Sequence, residues 1–319
     1  MASGEIDETR IAIGSCFDLK RGSPEIFNSV IQNKPDLWVW LGDIVYGDTH
    51  DMIKLKGLYD ELKQTVPYQD LMSNAHVIGI WDDHDYGSND GGRFYSKKDE
   101  SKEVLLDFLN VHDNDPVRSR KGSYYAYMMG NAGKSVKLLL LDTRYFRDTL
   151  MASQDEHNRY SINHEGDILG ATQWSWLEEE LTKNEAQVHI LCSGYQIIPW
   201  EHGFEKWSNF PKARKRLFEM IARINPNSTF LISGDRHIAE FSKVPVDGLP
   251  YPLYEFTSSG LTHTWDKDRV ENNQHRIGNK IVKKNFGLIK IRWESETPSI
   301  TYEVKGVNNE LYATFKAKF

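Results

Sequence analysis

A short apolar run that stops at a small residue and a polar cluster recurs along this chain. That recurrence limits the fold more than any other feature. Its fullest copy spans residues 36 to 48, Asp-Leu-Trp-Val-Trp-Leu-Gly-Asp-Ile-Val-Tyr-Gly-Asp. Leu37 to Leu41 predicts a buried strand, ended by Gly42 and followed at once by Asp43, with Tyr46 three residues on. A strand that ends in a carboxylate places charge at the carboxyl edge of a sheet, where α/β folds bind ligands. A phenol of pKa ~10 ionises readily only beside a strong Lewis acid, so Asp43 with Tyr46 points to a metal site. Taken alone, the stretch reads equally well as an Asp-capped turn with a tyrosine packed nearby.

The other copies shift that balance. Ile11 to Gly14 delivers Ser15-Cys16, and His76 to Trp81 delivers Asp82-Asp83-His84-Asp85 through Asp90. Val136 to Leu141 leads into Asp142-Thr143-Arg144, Val188 to Cys192 into Tyr195-Gln196, and Thr229 to Ser233 into Gly234-Asp235-Arg236-His237. Between them, helical periodicity predicts helices over 24–33, 52–64, 99–110, 172–183 and 211–224. Tyr124 to Met129 and Val136 to Leu141 predict strands joined by the turn Gly130 to Gly133. From residue 253 onward the pattern changes. Leu253–Thr257, Phe286–Trp293, Ser299–Lys305 and Leu311–Lys316 alternate with period two, which predicts antiparallel strands and a turn at 307–310. Residues 1–10 read as a polar lead-in and 148–170 as a surface loop.

With 319 residues, no internal repeat and no Pro/Gly-rich linker, the chain is expected to form one domain over residues 1–319. A net charge of -7 disfavours nucleic-acid binding, and no sequence-specific nucleic-acid partner is expected. No apolar run approaches the ~20 residues of a transmembrane helix. The two cysteines, Cys16 and Cys192, exclude a disulfide scaffold. Cys192 sits inside an apolar run and reads as core. The opening Met-Ala-Ser-Gly-Glu lacks the apolar centre of a signal peptide. It leaves an intracellular protein and a secreted one without its leader equally open.

Parallel strands bring their carboxyl ends to one edge, so the clusters gather carboxylate, thiol, phenol and imidazole groups together. Such charge is costly without cations. Two cations roughly 3.5–4 Å apart answer that cost, and they can bind a phosphate ester and activate water. An unligated histidine beside them can act as general acid, and an arginine can hold phosphate oxygens.

The motifs Gly14-Ser15-Cys16, Gly42-Asp43-Ile44-Val45-Tyr46, Trp81-Asp82-Asp83-His84-Asp85 through Asn89, Leu141-Asp142-Thr143-Arg144 and Ser233-Gly234-Asp235-Arg236-His237 occur in this order. Together they resemble the PhoD-like (alkaline phosphatase D) branch of the calcineurin-like metallophosphoesterases. The Gly-Asp-x-x-Tyr element also resembles purple acid phosphatases. The resemblance implies an α+β, four-layer sandwich of two mixed sheets flanked by helices. The larger bacterial relatives carry an N-terminal β domain that is not expected here. The resemblance further implies that Asp43 bridges two metals. Cys16, Tyr46 and His237 would complete an iron-like site; Asp83 and Asp235 would serve the second, with Asn89 or Gln196 as additions. His84 would be the catalytic histidine and Arg144 would hold the phosphate. Asp82, Asp85 and Asp90 read as loop caps, with Asp82 alternatively orienting His84. Tyr195 and Gln196 are candidates for substrate contact.

The family's Cys and extra Asp residues favour ferric iron with calcium (Fe3+ plus Ca2+), with zinc, manganese or magnesium as alternatives. The implied activity is hydrolysis of phosphomonoesters or phosphodiesters by in-line attack of a metal-bound hydroxide. The implied substrates are phosphate-ester small molecules, phospholipids or nucleotides. The rival reading is a catalytically silent metal-binding interaction module on the same fold. A serine hydrolase finds no Gly-x-Ser-x-Gly elbow. Trp200, His202, His263 and Trp265 lie in aromatic loops that read as pocket lining or as loop packing.

Overall fold

The computed structural model describes residues 7–265, 271–293 and 297–319, so the first six residues of the polar lead-in lie outside the described residues. Along the chain come β1 (Glu8–Gly14), α1 (Ile26–Gln32), β2 (Leu37–Leu41), α2 (Met52–Lys63), α3 (Val66–Asn74), β3 (His76–Ile80) and the one-turn α4 (Asp83–Tyr86). Next are α5 (Lys98–Phe108), α6 (Pro116–Ser119), β4 (Tyr125–Asn131), β5 (Lys134–Leu140) and a small ribbon of β6 (Met151–Ala152) and β7 (Tyr160–Ser161). Then follow α7 (Gly170–Lys183), β8 (Val188–Ser193), α8 (Pro211–Ile224), β9 (Thr229–Ser233), β10 (Ala239–Val244) and β11 (Leu253–Ser258). The chain closes with β12 (Arg276–Ile281), β13 (Phe286–Arg292), β14 (Ser299–Lys305) and β15 (Leu311–Lys316).

Two mixed sheets result, ordered β15-β14-β13-β1-β2-β3 and β12-β10-β11-β9-β8-β5-β4. In the first, β1, β2 and β3 are parallel; in the second, β5, β8, β9 and β11 are parallel. Side-chain alternation explains the layering. Ile11, Ile13, Leu37, Val39 and Leu41 meet Leu138, Leu140, Ile190 and Ile232 between the sheets. The alternate residues Ala12, Trp38 and Trp40 face outward onto Phe27, Leu55, Tyr59 and Tyr68 of the helices. Leu139, Leu191 and Leu231 likewise face Trp174, Leu177, Leu217 and Ile221 of α7 and α8. The product is helix, sheet, sheet, helix, the four-layer sandwich expected. Cys192 is buried in the inter-sheet core.

Three elements depart from the sequence expectation. Helix α3 went unread because it starts one residue after a helix end, with Pro67 in its first turn. The edge strand β12 carries Arg276, Asn279 and Lys280, and β10 follows the polar cluster directly, so neither shows an apolar run. Leu253–Thr257 alternates as an antiparallel strand would, yet β11 pairs in parallel with β9 on one side. All six residues of β11 are buried, polar Glu255 and Thr257 included, so the alternation does not mark a solvent face.

Candidate metal centre

Both sheets end at one edge of the sandwich, and the turns there share one construction. Cys16, Asp43, Asp82, Asp142 and Asp235 each stand two residues beyond the last residue of β1, β2, β3, β5 and β9. Four of the implied ligands have left-handed backbones: Cys16 (φ 59), Asp43 (φ 50), Asp235 (φ 67) and His237 (φ 53). Such a conformation costs a non-glycine residue ~1–2 kcal/mol and persists where surrounding structure imposes it. The neighbouring glycines show what imposes it. A Cβ on Gly42 would stand 2.3 Å from Asp82 Cβ, and one on Gly234 would stand 2.3 Å from the Leu41 carbonyl of the other sheet. The strand ends are pressed together until only glycine fits between them.

Asp43 is the hub. Among the described residues, ligand atoms of Asp43, Asp83 and His84 lie within 4.8 Å of one another, as do those of Asp43, Asp82, Asp83 and Asp235. The Cys16 thiol and the Tyr46 hydroxyl both donate to Asp43 Oδ2, each at 3.4 Å. His237 joins neither carboxylate group; its ring lies 4.5 Å from His263 and 5.4 Å from Trp265. His263 in turn meets the Tyr46 ring at 5.2 Å.

Burial and the charge of Asp83 push the Asp43 carboxyl up to about 8. Burial raises the Asp82 and Asp235 carboxyls as well, against the pull of Arg144 and Arg236. The Cys16 thiol and Tyr46 phenol are driven up by burial and then by their charged neighbours, Asp43 beside the thiol and Cys16 and Asp43 beside the phenol. Burial lowers His237 to about 3 and His263 to about 4, so both imidazoles are neutral donors. Asp43 Oδ1, Asp82 Oδ2, His237 Nδ1 and His263 Nε2 are buried without a hydrogen-bond partner among the described residues. Buried polar atoms are rarely left so. Oxygen, sulfur and nitrogen donors around shared carboxylates suit metal ions, and the residues present fit such a group.

His84 stands at the rim. Its Nδ1 meets Asp48 Oδ2 at 2.7 Å, and its ring lies on Tyr46 at 4.2 Å. Burial alone would lower its pKa, but the carboxylates of Asp43, Asp83 and Asp48 override this and push it to about 10. Its backbone N–H and that of Asp90 donate to the two oxygens of Asp83, at 3.1 and 2.6 Å.

A model of the family described as PhoD-like phosphatase matches residues 11–296. The chain belongs to the PhoD-like phosphatase family. Its fold is similar to that of a structure described as PhoD, with a TM-score of 0.74 at 17% identity, covering 99% of this chain and 70% of that one. It is also similar to a dimetal phosphatase from Danio rerio, with a TM-score of 0.59 at 11% identity, covering 98% and 99%. At these identities the likeness is one of fold. No curated protein matches the sequence.

Within this PhoD-like phosphatase, four expected site residues stand elsewhere than the sequence implied. Arg144 is fully buried. Its Nε donates to Asp82 Oδ1 at 2.7 Å and its Nη1 to Glu205 Oε2 at 2.6 Å, while its Nη2 lies 3.9 Å from Asp83 Oδ1, so the guanidinium is buried among carboxylates. Asp82 therefore holds Arg144 and not His84, whose partner is Asp48. Tyr195 is buried beneath the Arg144 guanidinium, 4.9 Å from its ring, and donates to the Thr143 carbonyl. Gln196 is buried with its amide on Glu240 and Thr257. These two positions anchor a turn and do not line an open pocket. Asn89 is exposed and its amide donates to Asp90 Oδ2 at 2.7 Å.

Sequence reasoning missed Glu205, which links Arg144 to Arg147 (3.0 Å) from within a loop. It missed Asp48 as the partner of His84, although the residue closes the stretch 36–48. It also left His263 undecided between lining and packing. Asp85 proves structural. Its carboxylate accepts from the Asp82 and Ile44 backbones and ties the second and third motifs together.

Proposed function

We propose that the chain is a metal-dependent phosphoesterase acting on phosphomonoesters, phosphodiesters or both. The observation that carries this is Asp43, which with Asp83 belongs to both ligand groups and keeps one buried oxygen without a hydrogen-bond partner among the described residues. In this reading Asp43, Cys16, Tyr46 and His237 would hold one ion, and Asp43, Asp83 and Asp235 would hold a second. Thiolate, phenolate and imidazole favour ferric iron, and the carboxylates favour calcium, with zinc, manganese or magnesium as alternatives. Bound there, two cations supply Lewis-acid charge and an activated water.

The chain's own residues do the rest. Asp48 fixes the His84 ring against Tyr46 and keeps its proton at neutral pH. His84 can then hand that proton to the leaving oxygen. The two backbone N–H groups on Asp83 hold its carboxylate in one orientation. Arg144 acts one layer down, neutralising Asp82 behind the site. Phosphate-ester small molecules, among them nucleotides or phospholipids, are the substrate class.

The test is elemental analysis and a visible spectrum of protein purified without chelators. Turnover of p-nitrophenyl phosphate and bis(p-nitrophenyl) phosphate is measured on the same sample. Bound metal with turnover is expected, together with a phenolate absorption band that Tyr46→Phe abolishes. Metal without turnover of either ester would establish the silent binding module. Protein free of metal would overturn the proposal.

A further inference from the structure

β11 lies beside β9 in the second sheet and runs parallel to it, so the loop that follows β11 ends up at the centre. Thr262 pins it there. Its Oγ1 donates to the Cys16 carbonyl at 3.1 Å, accepts from the Asp18 backbone N–H at 2.9 Å, and meets His263 Nδ1 at 3.0 Å. A hydroxyl has one hydrogen. With that hydrogen on Cys16, the His263 contact requires Nδ1–H as donor. The lone pair of His263 then lies on Nε2, which is buried and has no hydrogen-bond partner among the described residues. A ligating histidine typically has this arrangement, with one nitrogen anchored as a donor and the other bare.

Ring positions point the same way. Two imidazoles held at right angles on one ion by bonds of ~2.1 Å put their centroids roughly 4.5 Å apart. His237 and His263 are 4.5 Å apart, and the Tyr46 ring is 5.2 Å from His263. We propose that His263 is a second imidazole donor of the metal centre, placed beside His237 on the side of Asp43 that carries Cys16 and Tyr46. Thr262 is its positioning residue, orienting His263 and holding the Cys16 turn with a single hydroxyl. This inference rests on the metal-dependent reading above.

The experiment is a chelator challenge on protein as purified, with X-ray absorption of the bound metal. The variants are His263→Ala, His237→Ala and Thr262→Val. The chelator concentration that strips half the metal should fall by ~10–100-fold in His263→Ala, as in His237→Ala, and by ~10-fold in Thr262→Val. The imidazole scattering in the absorption spectrum should drop by one ring in His263→Ala. Should that variant fail to fold, His263→Asn, which keeps a polar side chain of similar bulk, carries the same measurement. Unchanged metal retention and scattering in His263→Ala, with loss in His237→Ala, would overturn this inference alone. Wild-type protein without metal would remove the parent reading with it.

Discussion

Two buried charge clusters share one edge of the sandwich, and they differ in what balances them. In one, Asp82 and Glu205 face the guanidiniums of Arg144 and Arg147, two carboxylates against two cations, with contacts of 2.6 to 3.0 Å. In the other, Asp43, Asp83 and Asp235 converge with Cys16 and Tyr46, and the nearby cations are His84 at the rim and Arg144, whose Nη2 lies 3.9 Å from Asp83 Oδ1. Arg236 stands between Asp235 and His237 in sequence, but its Nη2 is engaged by Glu271 at 2.9 Å. The first cluster pairs its charges within the protein, although burial raises both of its carboxyls and leaves Asp82 Oδ2 and Glu205 Oε1 without a hydrogen-bond partner among the described residues. In the second, Asp43 is pushed up to about 8 and Asp235 upward, while Arg144 and His84 override burial and hold Asp83 down at about 2; three carboxyls there outnumber the protein's cations, a shortfall that metal ions would fill. The same residue types serve both clusters. What separates a scaffold from a site is whether protein supplies the countercharge.

The comparison breaks most severely at its hub. Asp43→Asn should abolish turnover and metal occupancy together, read by elemental analysis and ester hydrolysis. Retained metal with lost turnover would deny that Asp43 is shared. Arg144→Ala strikes the first cluster instead. It strands two buried carboxylates and should destabilise the fold by about 3–5 kcal/mol in urea unfolding. Arg144→Lys should recover little, because one ammonium cannot reach both Asp82 and Glu205 as the fork does. Unaltered stability of Arg144→Lys with a raised KM would instead make Arg144 a phosphate contact.

The strand ends were legible because each apolar run stops sharply at a small residue, and parallel strands must bring such ends together. Cys16, Asp43, Tyr46, Asp83 and Asp235 could therefore be gathered from the sequence without any distance. The direction of each side chain could not be read. Arg144 follows Asp142 in a motif, and nothing local says that its guanidinium turns inward onto Glu205, some sixty positions downstream in a loop. Tyr195 and Gln196 likewise sit at a strand end, but their partners Thr143, Glu240 and Thr257 come from other strands or strand ends. The role of His263 depends on Thr262 reaching the Cys16 carbonyl across the edge, a contact 246 residues apart in sequence. Strand termini were encoded locally, whereas the balance of charge between them was not.

The second cluster is sharpened next at its rim. His84→Ala should lower kcat by ~10²–10⁴ with metals still bound. Loss of metal instead would make His84 a ligand, as its presence beside Asp43 and Asp83 allows.

The smallest effect belongs to Asp48, whose side chain is 42% exposed and reaches His84 at 2.7 Å. Asp48→Asn keeps the shape and removes one charge that favours the imidazolium, so the His84 pKa should fall. Solvent screening limits the change to ~1 unit. If His84 is the proton donor, the alkaline limb of the kcat profile moves to lower pH by the same amount, with metal content unchanged. Stability carries the same sign. The folded value, about 10, lies above the ordinary 6.5, so the stabilisation is full below about 6.5 and fades as pH rises toward 10. Asp48→Asn should flatten that slope without touching the Arg144 cluster. A limb that stays in place while the NMR-measured pKa of His84 falls would assign the proton donor to another group.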